Sequence, residues 1–514
     1  MEGYKVLITT SGLGSRLGQL TDFTNKSLVR IGNKPAISYI IESYPKETKF
    51  VITLGHYGFH VKQFLTLAYP EYDFTFVNVD KFKGKGSSLG YSLLQAKSEL
   101  NCPFIFHASD TLFKTYQTIP PTYNYIIGAH KNNPAQYRTL NLINDTLVRI
   151  NETGELNYDL SYVGVAGIKD FKLFFTHLEN LVNTKRSDIS DVHAIHEMLS
   201  TVSFKVVNAG KNNWFDTGNT TELAKSRKHF NKNIEVLDKK DESIFFFEDY
   251  VIKFFSNSTI NKNRVSRAQK LFPLVPKILG HTNNFYKYKK AEGNLFSKSV
   301  TEKSFLKFLE WAEENLWVKT SKDFFDKDCN EFYIKKSLNR ISSYLESHTD
   351  PKNINGEDTP TIYDLFNQID FPYLCNGIPS QFHGDFILDN IIETPEGFSL
   401  IDWRQDFAGD LEIGDIYYDL AKLNHNLTVN HGIVDQELFN PSPDNCHILC
   451  NSTLLGCKKV LHQFILDKGY DLNKVEILTS IIWLNMSPLH EYPFNKFLFN
   501  FGKYNLYKNI KNES

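Results

Sequence analysis

From Lys5 to about Thr115, short apolar runs alternate with amphipathic segments, and no other feature of the chain restricts its fold as much. Residues 6–10, 50–54, 74–79 and 104–107 read as strands, and 36–44, 57–68 and 87–100 as helices. Alternation at this spacing predicts βαβ units, that is, a parallel sheet with helices on both faces: an α/β doubly wound (Rossmann-like) domain. Such sheets bind ligands at the carboxyl ends of their strands. Strand-like pieces continue at 125–129, 147–150, 162–168 and 204–208. At 514 residues the chain is too long for one ordinary core, and two or three domains are expected. Residues 230–243 are polar, rich in Lys, Asn and Asp, and lack apolar periodicity, so the boundary is placed there. The expected division is 1–232, a linker at 233–243, and a second domain at 244–508. In the second domain, 244–247 and 250–255 flank Glu248-Asp249 as a hairpin, and the pattern is mostly helical from about residue 300.

Composition narrows the function classes. Hydrophobic residues make up 41% and charged residues 23%, with a net charge of −2. There is no overall basic field to draw in nucleic acid or an anionic membrane surface. The Lys-rich stretch 261–270 reads as solvated surface. The first residues run directly into a strand-like segment without a basic region, an apolar region and a cleavage site. No apolar run approaches membrane-spanning length. Six cysteines do not form a disulfide framework in a chain this long, so a reduced, cytoplasmic setting is expected. Cys446, Cys450 and Cys457 would share a face if their stretch were helical, which reads as a core stripe rather than a metal site.

The loop after the first strand reads Ser11-Gly12-Leu13-Gly14-Ser15-Arg16-Leu17, with Lys26 further along. Gly12 and Gly14 let backbone N–H groups approach an anion closely. Arg16 adds a fixed fork of donors, and Lys26 a mobile point charge. Two distant acids agree with this loop. Asp110 follows the strand at 104–107, and Asp216 sits in Trp214-Phe215-Asp216-Thr217-Gly218. Carboxylates from two strand ends can hold one Mg²⁺, which would neutralise an α-phosphate and the attacking phosphate oxygen together.

On these residues, the region from 1 to about 230 resembles the sugar-phosphate nucleotidyltransferases. Gly12, Gly14, Arg16, Leu17, Lys26, Asp110 and Asp216 occupy the family's pattern in order. The resemblance implies that Arg16 and Lys26 contact the triphosphate and that Asp110 and Asp216 bind Mg²⁺. It also implies nucleotide contacts from Gly12, Leu13 and Gly14, and from Gly86 and Ser87 in a second glycine-rich loop. That second loop, Gly84-Lys85-Gly86-Ser87-Ser88-Leu89, departs from the family's small-residue pattern and leaves the base open. Lys26-Ser27 stands where Lys-Pro is usual, a change seen in the choline-phosphate cytidylyltransferase branch.

Near the C-terminus the chain reads His383-Gly384-Asp385-Phe386-Ile387-Leu388-Asp389-Asn390, then Ile401-Asp402-Trp403. Phosphoryl transfer needs a base to orient the acceptor hydroxyl and metal ligands to hold the triphosphate. Asp385 suits the base, and Asn390 and Asp402 suit the metal ligands. Asp389 reads as an exposed loop acid. Residues 240–505 resemble the aminoglycoside phosphotransferase and choline kinase family, which shares the α+β protein-kinase-like fold. In that resemblance Lys253 is the strand lysine that meets ATP phosphates. Asp415 and Asp419, in Gly414-Asp415-Ile416-Tyr417-Tyr418-Asp419-Leu420-Ala421, brace the site. Trp311, Trp317, Trp403 and Trp483 invite an aromatic cage for a quaternary ammonium, against ordinary core packing.

The reading these patterns support is a bifunctional activator. The C-terminal domain would use ATP to phosphorylate a small hydroxyl-bearing acceptor: an alcohol, amino-alcohol or sugar. The N-terminal domain would then couple that phosphate to CTP, or to another NTP, giving a precursor for surface polysaccharide or lipid head groups. Nucleic acid and membrane insertion are not expected, and an oligomer is allowed. Two alternatives stay open: a sugar-1-phosphate nucleotidyltransferase joined to a kinase for an unrelated metabolite, and a regulatory nucleotide-binding protein.

Overall fold

The structure is a computed structural model that describes residues 3–131, 135–155, 157–184, 188–230 and 239–511. Of the expected linker 233–243, residues 233–238 lie outside the described residues. The chain forms two compact units, one of residues 1–261 with 279–288 and the other of 262–278 with 289–514.

The first unit opens with strand β1 (Lys5–Thr9), followed by α1 (Ala36–Glu42), β2 (Lys49–Leu54), α2 (Gly58–Ala68) and β3 (Asp73–Asn78). Helix α3 (Leu89–Gln95), β4 (Phe104–Ala108), β5 (Thr111–Phe113), β6 (Tyr125–Ala129), β7 (Thr139–Ile143), β8 (Thr146–Asn151) and β9 (Leu160–Ile168) come next. Then follow α4 (Phe171–Asn183), α5 (Asp191–Met198), β10 (Lys205–Asn208), β11 (Trp214–Asp216) and α6 (Thr220–Phe230). The main sheet has nine strands in the order β3-β2-β1-β4-β9-β6-β10-β8-β7. Its first four strands are mutually parallel, and β9 joins β4 antiparallel.

Residue alternation along β1 shows why the sheet is doubly wound. Val6 and Ile8 pack into one apolar cluster with Ile37, Ile52 and Phe64. Leu7 packs into another, with Val51, Leu93 and Phe174. Successive side chains point to opposite faces, and both faces are covered. Thr9 pairs with Thr53 and with Ala108, so the carboxyl ends of β1, β2 and β4 come level. The helix expected at 87–100 is shorter than its sequence pattern. Ser88 caps it by accepting from Tyr91 N, and a separate 3₁₀ turn covers Lys97–Glu99.

The same unit carries a second sheet, of β12 (Glu242–Phe246), β13 (Tyr250–Phe255), β14 (Ile278–His281) and β15 (Phe285–Lys289), in the order β12-β13-β15-β14. Phe64 of α2 meets Phe245 at 5.5 Å and Phe285 at 5.8 Å between ring centroids, so this sheet shares the apolar cluster of α2.

The second unit is mainly helical. A helix at Ser258–Leu271 supplies its first residues, and Glu302–Asn315, Ile416–Asn426, Ser452–Asp467, Leu472–Met486 and Phe494–Lys511 are its longer helices outside Lys336–Leu345. Strands Ile391–Thr394 and Gly397–Leu400 form an antiparallel hairpin, and Pro379–Gln381 pairs with Ile413–Asp415. Three of the tryptophans offered for a cage, Trp317, Trp403 and Trp483, are buried in the core. Trp317 and Trp403 are buried, donating to Asp419 Oδ2 and Arg264 O, and Trp483 lies in a core cluster. Cys446 and Cys450 precede the helix that holds Cys457, so the three do not share a helical face. Among the described residues no helix is long and apolar enough to cross a membrane.

Candidate active sites

In the first unit the loop after β1 is held by a residue that carries no charge. Asn25 is fully buried; its amide donates to Thr10 O at 2.7 Å and to His56 O at 2.6 Å. Its Oδ1 accepts from Ser27 N and from Ser27 Oγ. These four bonds fix the segment that carries Lys26 against the strand ends. Gly14 has φ +70°, and a Cβ there would lie 2.8 Å from Lys26 Cβ, so both the backbone and the space require glycine.

The two predicted acids meet through a short ladder. Strands β5 and β11 are antiparallel, with Asp216 opposite Thr111, and Thr217 N donates to Asp110 O at 2.9 Å. An ideal Cβ on Gly218 would be 3.1 Å from Asp110 Oδ2, 3.1 Å from Asp216 Oδ1 and 3.2 Å from Arg16 Nη2. Both carboxylates and the guanidinium therefore converge on one point. Lys26 Nζ completes the group, 2.9 Å from Asp110 Oδ2. Tyr137, missed by the sequence reading, donates its hydroxyl to Asp216 Oδ2 at 2.8 Å.

The electrostatics separate the acids. Burial pushes the Asp110 carboxyl up, but Lys26 and then Arg16 outweigh it and hold the group below its ordinary range. Asp216 moves the other way, raised by burial and then by the charge of Asp110. Next to them His107 is kept neutral, lowered to about 4 by burial. Its ring bridges Tyr44 Oη at 2.8 Å and Thr111 O at 3.0 Å, which braces the β4–β5 turn.

A cavity of about 370 Å³ opens at these strand ends, lined by Gly12, Arg16, Lys26, Ser87, Ser88 and Asp110 among others. The hydroxyl of Ser109 in its wall is buried without a partner among the described residues. Of the other residues expected to touch nucleotide, Leu13 is 39% exposed, and Leu13, Gly14 and Gly86 are not in the lining. Lys253 lies buried on β13, opposite Ile244.

In the second unit the His383–Asn390 loop is pinned by Asp419, whose carboxylate accepts from His383 N at 2.8 Å, Gly384 N at 2.7 Å and Trp317 Nε1 at 3.2 Å. Burial raises Asp419 to about 6. Gly384 has φ +85°, and a Cβ on it would lie 2.7 Å from Arg404 Cβ. Asp415 caps the next helix through Tyr417 N and also accepts from Ile378 N and Tyr333 Oη.

Asp385 is engaged at both oxygens, with Lys422 Nζ 2.8 Å from Oδ1 and Asn390 Nδ2 3.2 Å from Oδ2. Burial opposes ionisation, but Lys422 overrides it and holds Asp385 at about 2. The backbone of Ile401 donates to Asn390 O at 2.8 Å, which brings the strand before Asp402 beside Asn390. Asp402 sits at φ +58° and is ion-paired with Arg264.

Two sequence expectations are corrected here. The stretch 261–270 is not a solvated face: Asn261 and Arg267 are buried, and Arg267 donates to Phe382 O, His383 O and Arg404 O. Asp389 is not a free loop acid, since His431 Nδ1 lies 3.2 Å from its Oδ2. The charge pattern could not separate a solvated lysine-rich helix from one whose arginines serve a loop more than 110 residues away.

Set beside known proteins, the N-terminal region is similar to sugar-phosphate nucleotidyltransferases. The bifunctional protein GlmU of Methanococcus vannielii is 26% identical over 237 residues, 44% of this chain and 55% of that protein. The choline-phosphate cytidylyltransferase of Streptococcus pneumoniae is 31% identical over 112 residues, 21% of this chain and 46% of that protein. The chain thus spans about half the length of the curated relatives it matches. Among solved structures, the CTP:phosphocholine cytidylyltransferase from Streptococcus pneumoniae has a TM-score of 0.39 at 18% identity, covering 45% of this chain and 99% of that one. No protein-family model matches the chain.

Proposed function

We propose that the chain activates a small molecule in two steps, phosphorylation at the Asp385 site and nucleotidyl transfer at the Asp110–Asp216 site. The convergence of Asp110, Asp216 and Arg16 around Gly218, with Lys26 on Asp110, carries the reading. In nucleotidyl transfer, a phosphate oxygen of the acceptor attacks the α-phosphorus of CTP or another NTP. The bond from that phosphorus to the bridging oxygen breaks, and pyrophosphate leaves. Arg16 and Lys26 hold the triphosphate and offset the charge that accumulates as it leaves. Similarity to a choline-phosphate cytidylyltransferase favours CTP.

Asp110 and Asp216 fit a divalent cation. Two half-buried carboxylates aimed at one point repel each other, the second cause after desolvation of the raised Asp216, and a cation between them relieves that repulsion. Mg²⁺ suits a site of two carboxylates, since it keeps waters and substrate phosphates as its other ligands. When bound, it would supply Lewis-acid polarisation of the α-phosphate.

In the second unit Asp385 orients the acceptor hydroxyl and takes its proton as the oxygen attacks the γ-phosphorus of ATP, the bond to the β–γ bridging oxygen breaks and ADP leaves. Asn390 and Asp402 are the proposed ligands of a second Mg²⁺ site. Asp419 positions the loop through His383 N and Gly384 N.

The full-length protein, given ATP, CTP and an unphosphorylated acceptor, should form the CDP-linked adduct and release pyrophosphate. If only the pre-phosphorylated acceptor reacts, the linked two-step reading fails.

A further inference from the structure

Beside Asp385 the second unit gathers cations without matching them with acids. Residues Asn330–Lys335 form a π-helical turn, an uncommon form that recurs at functional sites, and the helix Lys336–Leu345 continues it. Lys336 and Arg340, four positions apart, share a face of that helix. Lys336 Nζ lies 3.9 Å from the Phe332 ring centroid, and the guanidinium carbon of Arg404 lies 4.8 Å from the same centroid. Arg404 in turn runs along the loop of the candidate base: a Cβ on Gly384 would be 2.7 Å from Arg404 Cβ and 3.1 Å from its Cδ. The next residue is Asp385, with Lys422 Nζ 2.8 Å from its Oδ1. A run of contacts thus joins Lys336, Arg404 and Lys422 around that carboxylate.

The charges there do not balance. Apart from the Phe332 ring, Lys336 has no hydrogen-bond or ion-pair partner among the described residues. Arg340 donates to Asn485 O and Arg404 Nε to Asp406 O, both of them backbone carbonyls rather than carboxylates. Of the nearby acids, Asp385 is already paired with Lys422, which leaves Asp406 against three further cations. Burial, and then Arg404, Arg340 and Lys422, lower the Lys336 ammonium to about 5. The Asp385 side chain is 38% exposed and that of Lys422 only 12%, so the carboxylate lies on the open side of the pair. We propose that the acceptor phosphorylated at Asp385 is a hydroxy acid, whose carboxylate sits among Lys336, Arg340 and Arg404 while its hydroxyl meets Asp385. The inference rests on the phosphorylation reading of this site and names its acceptor class. A carboxylate supplies the missing counter-charge, lets Lys336 hold its proton, and matches the guanidinium forks with its two oxygens. The transfer itself is unchanged: the hydroxyl oxygen bonds to the γ-phosphorus, its proton passes to Asp385, and ADP leaves with the electrons of the broken bond. A neutral alcohol leaves the cations uncompensated, and an amino-alcohol adds to their repulsion.

The test is ADP release by the full-length protein with ATP and matched acceptors: glycerol against glycerate, glucose against glucuronate, and choline as the cation. The acid of a pair should be preferred by at least about tenfold in kcat/KM. Lys336→Gln should raise KM for that acid by about tenfold to a hundredfold, and Lys336→Arg should restore it. A rise in KM for ATP instead, with KM for the acid in place, overturns the proposal, because the cations would then hold the triphosphate. An acid preference that Lys336→Gln leaves untouched overturns it as well. So does preference for choline or for the neutral member, while the phosphorylation reading stands. If none of the five acceptors gives ADP release that Asp385→Asn abolishes, that reading fails and the inference with it.

Discussion

Each unit sets a pair of acids among cations, but the cations come from different places in the sequence. In the first unit Lys26 and Arg16 belong to the loop that announces the site, and Lys26 reaches Asp110 across 84 positions. In the second unit the partners of Asp385 and Asp402 are Lys422 and Arg264, and neither is part of the His383–Asn390 loop. The electrostatic outcomes differ as well. Lys26 lowers Asp110 while Asp216 is raised, an arrangement that invites a cation between them. Lys422 holds Asp385 at about 2, which keeps it an acceptor at every physiological pH. Under the proposed function the first site would gather charge around a triphosphate, and the second would present a fixed carboxylate to a hydroxyl.

Breaking one site at a time gives the largest effects. Asp110→Asn is expected to lower CTP-dependent pyrophosphate release by roughly 10²–10³-fold, and ATP-dependent phosphorylation should persist. Asp385→Asn should do the reverse. If Asp110→Asn leaves pyrophosphate release intact, the convergence at Gly218 is structural only. Next comes Lys422→Met, which keeps the aliphatic stem and removes the charge. Asp385 then loses the cation that holds it at about 2, so the acid limb of ADP release should move up by roughly one to three pH units. The sign follows from removing a positive neighbour, which favours the protonated carboxyl. A limb that stays in place would show that Lys422 does not set the state of Asp385.

The same contrast marks what could be read from the chain. The strands at 125–129 and 250–255 have the bounds expected of them, because short, mostly apolar runs end at polar residues there. The sequence marks Asp110 and Asp402 as candidates because each follows an apolar strand, and Asp216 and Asp385 because each stands in a short motif. It does not mark Asn25, Tyr137 or Arg264, since their partners are fixed only by tertiary packing: Arg264 meets Asp402 across 138 positions. Lys422 left a faint signal. It stands three residues after Asp419 on one helix, where side chains share a face, and Asp419 holds the very loop that carries Asp385.

Smaller effects sharpen the comparison at the level of support. Asp419→Ala would leave the N–H groups of His383 and Gly384 and the indole of Trp317 without their acceptor. A cost of at least about 1–3 kcal/mol is expected in denaturant unfolding, with loss of phosphorylation before loss of pyrophosphate release. Equal loss of both activities would mean that Asp419 supports the whole chain rather than one loop.

The smallest expected effect is a pH dependence at the rim of the second site. The hydrogen bond to Asp389 raises His431 above its ordinary value, and Asp389 is lowered in turn, first through His431 once burial is overcome. A histidine whose folded value is raised stabilises fully below its unfolded value near 6.5, and that contribution is lost as pH rises through the folded value. Asp389 acts in the opposite sense, contributing above its unfolded value near 3.9 and losing that contribution as pH falls through the lowered folded one. Between those limits both charges are present and the pair is at its strongest. The His431 side chain is 57% exposed, so solvent screening keeps the gain to about 0.2–1 kcal/mol. Unfolding midpoints at pH 6 and pH 8 should therefore separate more in the parent protein than in His431→Gln, and high salt should shrink the difference. An equal separation in both proteins would remove this pair from the forces that hold the loop.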